Sequence, residues 1–385
     1  MPKRMLVLAD ADGLWTRRYI ENLLLPDGWT LVLFPIWGEH GVNADFYKQN
    51  GVTVYHDGHA LPVIRRIPRL RMWARIAANA RDLAKLGPFD VVHNIYLSQR
   101  DLALGERLRK RFDARWVGSF MGSDLLRSSE LAHRRMLPYL ERCDAISIQN
   151  VADLERAYGE RFRAKAYERH FGHNSCAYID RTRAEMSKAQ CRAEFGLDAD
   201  AVVVCLGSSA APGQQHLLAL DAMARCKRLE RVTLVLQLTY GAPSEAYLET
   251  VRERAETLGC KLLVLTDYLD DMKSARLRLS ADIYIHSVVT DAFSVSMQEY
   301  YYAGATVLKG AWLRFPELAQ MGITPYEFAD FDALAPLLDR AIGGELPPLP
   351  QALRAEFPKR FSWDAVREDW LRLYQREQGG SKSPY

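Results

Sequence analysis

Paired cysteines are what this sequence most plainly lacks. Its six cysteines, Cys143, Cys176, Cys191, Cys205, Cys226 and Cys260, are scattered over 385 residues without one C-x-x-C spacing. That argues against a zinc site and a disulfide framework, and it fits thiols packed as small hydrophobes in a reducing compartment. No apolar run approaches the ~20 residues that cross a bilayer. The N-terminal stretch MPKRMLVLADAD turns polar at Asp10, after a run too short for a secretory signal. The expectation is a cytoplasmic protein whose membrane contact, if any, is peripheral. Charge of one sign is not in excess either. Lys and Arg number 51 against 48 Asp and Glu, a net +3, which argues neither for nor against a polyanionic partner. No repeat of solenoid or propeller period is visible.

What is present is apolar patterning on a scale that predicts two domains, since one core rarely serves a chain of 385 residues. Short β-rich runs alternate with helical stretches twice over. The first series is 4–10, 29–36, 51–56, 90–97, 114–120 and 145–150; the second is 201–208, 231–240, 261–268, 281–289 and 305–310. Strands that alternate with helices imply parallel sheets, and fully apolar strands imply helices on both faces. The polar stretch 172–198 marks the boundary between two doubly wound α/β domains. After a Pro-rich connection, Ser362 reads as the N-cap of a helix with Trp363, Val366, Trp370 and Leu373 along one side. The end GGSKSPY reads as disordered.

The stretch TDAFSVSMQEYYYAG follows the run ADIYIHSVV and places Asp291 just past a strand end, with Glu299 eight residues on. Ligands of doubly wound sheets bind at such strand ends. With a helix starting near Ser294, Glu299 lies ~8 Å along the axis, and two carboxylates so spaced can accept hydroxyl protons from separate parts of one extended ligand. The alternative is local: Ser296 and Glu299 fit a capping box, Asp291 caps a turn, Tyr300, Tyr301 and Tyr302 pack, and Gly304 caps the helix C-terminus.

These residues, TDAFSVSMQEYYYAGATVLKG, resemble the donor-site signature of retaining glycosyltransferases of the GT-B fold, glycosyltransferase family 4 and its relatives. Asp291 takes the first acid position and Glu299 the second. LVLADADGLWTRRYI, DVVHNIYL, GSFMGSDLLRS, FGHNSCAYID and FSWDAVREDWLRLY resemble further family segments in the expected order over nearly the whole chain. The resemblance implies GT-B architecture: two tandem Rossmann-like domains with an interdomain cleft, divided 1–175 (acceptor side), 176–358 (nucleotide-sugar side) and 359–385 (a helix crossing back). It implies metal-free transfer of a sugar, with retention, from a nucleotide-diphosphate sugar, which is a substrate and not a cofactor. Asp291 then contacts the donor sugar, backbone amides at Ala292, Phe293 and Ser294 meet its hydroxyls, and Glu299 holds the ribose. Gly13 lets the first loop approach the diphosphate, His93 and Asp124 line the cleft, and Asp267, Tyr268 and Leu269 sit near the base. The acceptor implied is a glycan or lipid-linked saccharide, with Arg17 and Arg18 on its side.

One departure stands out. The Arg and Lys that neutralise the diphosphate in the family are absent from GSSAAPGQQHLLAL, where Ser208 and then Gly213 or Gln214 stand instead. Charge on a leaving diphosphate needs compensation. The loop 207–213, with Gly207, Ser208 and Ser209, suits a backbone cradle at a helix N-terminus, and Lys309 is the candidate assisting cation. His93 has the alternative of a satisfied core histidine, Asp124 that of a helix cap, and Arg17 and Arg18 that of a solvated helix face. The pair His170 and His173 lacks metal partners and is assigned to the domain junction. Residues 61–85 interleave seven basic residues with apolar ones; segment 64–76 suits either contact with an anionic membrane at its inner face or a solvated helix, and no nucleic-acid partner is expected. Two rivals to transfer remain: a nucleotide-sugar epimerase of the same fold and a non-catalytic sugar- or nucleotide-binding relative.

Overall fold

The structure is a computed structural model and describes residues 3–38, 41–57 and 68–375. The expected disordered end at 379–385 and residues 64–67 of the basic segment lie outside the described residues. The rest divides into two compact units: one runs to Gly172 and resumes at Trp363, the other is His173–Ser362.

The first unit is built on seven parallel strands: β1 (Arg4–Ala9), β2 (Thr30–Pro35), β3 (Thr53–Val54), β4 (Val91–Ile95), β5 (Arg115–Ser119), β6 (Ala145–Ile148) and β7 (Ala166–Glu168), in the order β3-β2-β1-β4-β5-β6-β7. Its apolar runs are continuous because both faces are covered. Leu6 and Leu8 enter one core with Val92 and Trp116, while Met5, Val7 and Ala9 enter another with Tyr19 and Trp370. That is the two-residue period of a strand read on both sides. The helix Trp363–Leu373 buries Trp363, Val366, Trp370 and Leu373, the stripe read from the sequence. It is held by Trp370 Nε1 donating to the His170 carbonyl at 2.8 Å and Arg115 Nε donating to the Leu373 carbonyl at 2.7 Å.

The second unit has six parallel strands: β8 (Val202–Leu206), β9 (Val232–Gln237), β10 (Lys261–Leu265), β11 (Ile283–His286), β12 (Thr306–Gly310) and β13 (Tyr326–Phe328), in the order β10-β9-β8-β11-β12-β13. Val203 and Cys205 face one core; Val204 and Leu206 face the other. The short edge strands β7 and β13 went unread in the sequence, because three residues carry too little alternation to register.

In each sheet the strand order reverses once, between β1 and β4 and between β8 and β11. There neighbouring connections leave for opposite faces, and a crevice opens at the carboxyl ends of the strands.

Candidate functional site

In the second unit the crevice is bounded by the loop after β8 and the turn after β11. Gly207 opens the first loop with φ +70°, and a Cβ there would lie 2.7 Å from Nε2 of His216. Both conditions require glycine. His216 begins the helix His216–Met223. Its ring is fully buried with neither nitrogen hydrogen-bonded, and burial holds its pKa down at about 4, so it is neutral near pH 7.

The loop's amides are largely engaged inside the protein. Gly207 N–H reaches the Ile285 carbonyl at 3.4 Å, and Ala210 N–H the Tyr240 carbonyl at 2.7 Å. Ser208 N–H meets Oε1 of Gln214 at 3.3 Å, and the Gln214 amide reaches back to Ser209 Oγ at 3.3 Å. Gln214 thus occupies the hollow in which the sequence suggests a bare backbone cradle. The loop is also clipped to the second bank: Val289 N–H donates to the Gly213 carbonyl and Ser287 Oγ to the Gln214 carbonyl, both at 2.9 Å.

Asp291 stands on that bank. Its Oδ2 accepts from Nε2 of His286 at 2.7 Å and from the Ser294 N–H at 3.0 Å. Nδ1 of His286 lies 3.2 Å from the Tyr284 hydroxyl. With Nε2 donating to Asp291 and Nδ1 accepting from the Tyr284 hydroxyl, both contacts are satisfied. Oδ1 of Asp291 has no hydrogen-bond partner among the described residues. The turn is made by Phe293, whose φ is +63° although it is not glycine and whose ring is buried against Phe315 and Phe361. Such a backbone costs about 1–3 kcal/mol. Here Gln298 holds it by donating to the Phe293 carbonyl at 2.9 Å while contacting His173 at 3.1 Å. Half-buried Ala292 completes the turn.

Ser294, not Ser296, caps the helix Val295–Ala303, so the Ser296–Glu299 capping box does not form; Gly304 ends the helix in the left-handed region as expected. Glu299 is therefore free for another partner. Arg278, from the helix Asp271–Ser280, donates from Nε to Glu299 Oε2 at 2.9 Å, and from Nη1 to Gln237 Oε1 at 3.0 Å and the Tyr300 hydroxyl at 3.1 Å. Its side chain is 4% exposed and that of Glu299 12%. The Glu299 carboxylate and the buried tyrosines hold the Arg278 guanidinium charged despite the desolvation. Oε1 of Glu299 has no hydrogen-bond partner among the described residues. Tyr300, Tyr301 and Tyr302 are buried packing.

Just past the ends of β9 and β10, Tyr240 and Tyr268 are 61% and 64% exposed. Asp267 is exposed and Leu269 buried beside Tyr268.

Several expected site residues are corrected. Lys309 is 2% exposed, with its ammonium on Glu327 at 2.5 Å and the Leu313 carbonyl at 2.6 Å. It is thus unavailable as a counter-cation. In the first unit His93 is a satisfied core residue: fully buried, with Nδ1 2.9 Å from the Tyr19 hydroxyl and Nε2 2.7 Å from Ser119 Oγ. Burial pushes its pKa down to about 3. Asp124 is neither an open site residue nor the helix cap, a position held by Gly122. Its carboxylate accepts from the N–H groups of Leu97 at 2.7 Å and Met121 at 2.8 Å, so it ties the loop after β4 to the loop after β5. Burial raises its pKa to about 6 against those hydrogen bonds. Gly13 caps the helix Leu14–Tyr19, where a Cβ would lie 2.7 Å from an Asp10 carboxylate oxygen. Arg17 stacks on the Phe46 ring at 4.8 Å, and Arg18 is half-buried on the same helix.

Sequence reasoning missed Arg278, His286 and Tyr240, and it named Gln214 only as a residue standing where a lysine is usual. His286 had a signal, a lone histidine at a strand end five residues before Asp291; Arg278 had none, since Arg276 two residues earlier looks the same. Among the described residues no group of three His, Cys, Asp or Glu is placed to hold a metal ion, and no helix is long and apolar enough to cross a membrane.

No family model matches the chain, and no curated protein does. Solved structures do. HepE from Anabaena, in complex with UDP and glucose, is similar with a TM-score of 0.71 at 16% identity, over 96% of this chain and 98% of that one. A glycosyltransferase from Rickettsia africae gives 0.75 at 16%, over 98% and 100%. Sucrose-phosphate synthase from Thermosynechococcus elongatus gives 0.71 at 17%, over 97% and 98%. At such identities the likeness establishes the architecture: two Rossmann-like units in tandem, the GT-B fold of glycosyltransferases.

Proposed function

We propose that this protein transfers a sugar from a nucleotide-diphosphate sugar to a saccharide or lipid-linked acceptor, with retention and without a metal ion. The observation that carries the reading is the pair Asp291 and Glu299. Among the described residues, each carboxylate has one oxygen held by the protein and the other without a partner, at the strand ends where the sheet order reverses. Carboxylates half-satisfied in this way accept hydroxyl protons from a ligand. The UDP, UDP-glucose and glucose bound in the HepE structures are of the chemistry such a site would recognise.

In this reading the base lies on Tyr240 and Tyr268, and the ribose donates to Glu299 Oε1, whose position Arg278 sets. The diphosphate meets the N-terminus of His216–Met223 after Gln214 swings aside to free the Ser208 N–H. Asp291 Oδ1 accepts from a sugar hydroxyl, with His286 fixing its orientation. The bond from the anomeric carbon to phosphate breaks, the acceptor oxygen bonds to that carbon on the same face, and the acceptor proton passes to the leaving phosphate. The test is release of nucleoside diphosphate from a panel of nucleotide sugars with saccharide and lipid-linked acceptors, with and without EDTA. Turnover indifferent to EDTA, with the α or β configuration kept in the product, supports the proposal; a strict need for Mg²⁺ or an inverted product overturns that part of it.

Gln214 in the phosphate hollow and the engagement of Lys309 favour a second reading, a relative that binds nucleotide sugars without transferring them. Tight donor binding with neither transfer nor hydrolysis would establish it.

A further inference from the structure

A cavity of about 800 Å³ lies wholly within the first unit, above the ends of β2 and β3 and against the helix Pro68–Leu83. It is separate from the crevice of the second unit, and Arg71, Met72, Arg75 and Ile76 of its lining belong to the basic segment 64–76. Arg71, Arg75 and Asn79 line it at successive i, i+4 positions, so one stripe of the helix faces the space. Two guanidiniums of the lining are already compensated. Arg75 pairs with Asp57, which also accepts from Asn79 at 3.2 Å; Arg100 pairs with Asp101 at 2.9 Å and donates to the Ile36 carbonyl. Arg71 pairs with no acid among the described residues. Two arginines at i, i+4 repel, and Asp57 offsets only one of them. Among the described residues the stripe therefore presents one positive charge without an acid partner inside a concavity, beside the guanidinium of Arg75.

The rim adds an aromatic platform. Trp37 is 57% exposed, and its ring stands edge-on to Tyr96 with centroids 4.7 Å apart. Farther in, Tyr55 stacks on Phe34 at 5.7 Å. An exposed indole face above hydrogen-bonding side chains suits the apolar face of a sugar ring, and the volume is in the range of small-molecule sites. A guanidinium without an acid partner suits an anionic group, a carboxylate or a phosphate. The concavity favours a small molecule over a flat bilayer.

We propose that this cavity binds a saccharide bearing one anionic group, a phosphate or a carboxylate, with the anion on Arg71 and a sugar face on Trp37. The inference rests on the glycosyl-transfer reading only in naming this ligand the acceptor.

The test uses the full chain and ligand-detected NMR with glucose 6-phosphate, glucuronate, glucose and UDP. At least one of the two anionic sugars is expected to bind at least about tenfold more tightly than glucose, and the one that does names the anion. Arg71→Gln should lose that preference by about ten- to a hundred-fold, the range of a charged hydrogen bond. Arg71→Lys should recover part of it, and Trp37→Ala should weaken all sugars alike. UDP should neither compete nor lose affinity in Arg71→Gln. Equal binding of glucose and both anionic sugars, or unchanged affinity in Arg71→Gln, overturns the proposal. So does an Arg71 dependence seen only with phosphatidylglycerol vesicles, which would make the stripe a membrane contact. If the anionic sugar binds as described while UDP and UDP-sugars do not bind at all, the cavity stands and the glycosyl-transfer reading falls.

Discussion

Arg278 donates from Nε to Oε2 of Glu299 at 2.9 Å, and the pair is nearly excluded from solvent. An acid that is matched inside the protein yet keeps one oxygen free is well suited to hold a ribose hydroxyl without adjustment on binding. The arrangement also means that the acid cannot be removed without disturbing the fold.

Breaking a buried ion pair from one side leaves a charge unpaired, at about 3–5 kcal/mol. Arg278→Ala and Glu299→Ala are each expected to lower stability by that order, and the double variant by clearly less than the sum. Urea denaturation of the three variants measures the coupling. Glu299→Gln keeps an acceptor for Arg278 but not the charge, so part of that stability loss is expected to remain, and UDP affinity is expected to fall about tenfold as well. Additive losses in the cycle would show that the pair does not act as a unit.

His286 and Asp291 should separate kinetically. Loss of a hydrogen bond to a charged group is worth about 1.5–3 kcal/mol. Asp291→Asn is therefore expected to reduce kcat by about ten- to a hundred-fold with KM for the donor little changed. His286→Gln, which leaves the carboxylate in place but loosens its orientation, should reduce kcat less. Steady-state kinetics on both variants check the order, and full activity in Asp291→Asn would mean that Asp291 is only a turn cap.

Gln214 offers a cleaner probe of the phosphate loop than Gly207. At Gly207 any side chain meets both a positive φ and the His216 ring, so Gly207→Val would damage the loop whether or not it binds phosphate. Gln214→Ala removes the side chain that occupies the hollow and frees the Ser208 N–H. The cost of displacing it, about 1 kcal/mol for one neutral hydrogen bond, disappears, so UDP is expected to bind about fivefold more tightly by calorimetry. Weaker binding would mean that Gln214 is itself a ligand contact.

Acid should destabilise the protein through its buried histidines. His93 is held at about 3, and His170 and His216 at about 4, each chiefly by burial. Their folded pKa values lie below the ordinary value of about 6.5, so the unfolded chain binds more protons between those limits. Their contribution is whole above pH ~6.5 and is lost as pH falls toward 4. Asp124, raised to about 6, acts oppositely: its contribution is whole below pH ~4 and is lost as pH rises through 6. Asp101 and Glu168, also raised by burial, act on the same side as Asp124, so the histidine contribution is read by comparing variants from pH ~6.5 to 4. The wild type should lose more over that span than His216→Asn, and less than Asp124→Asn. Parallel profiles for wild type and His216→Asn would place that histidine's titration at its ordinary value.

The parallel sheets were legible because residue type alone carries the signal. Runs such as MLVLA and VVVCL are apolar at every position, which water tolerates only when both faces of a strand are covered. The stripe of Trp363, Val366, Trp370 and Leu373 was legible for the same local reason, as were the strand-end position of Asp291 and the glycine cap at 304. None of these requires knowing what lies opposite.

The site's chemistry turned on what lies opposite. Glu299 meets an arginine twenty-one residues away in the chain, and His93 meets a tyrosine seventy-four residues away. The ammonium of Lys309 turns into the protein toward Glu327, on the neighbouring strand. A carboxylate, an imidazole and an ammonium are each equally able to face a ligand or a protein partner. Local pattern supplies the group and its place on a strand or helix. Whether it is left open is settled by long-range packing, because a polar side chain that leaves water binds whichever partner the fold brings within about 3 Å.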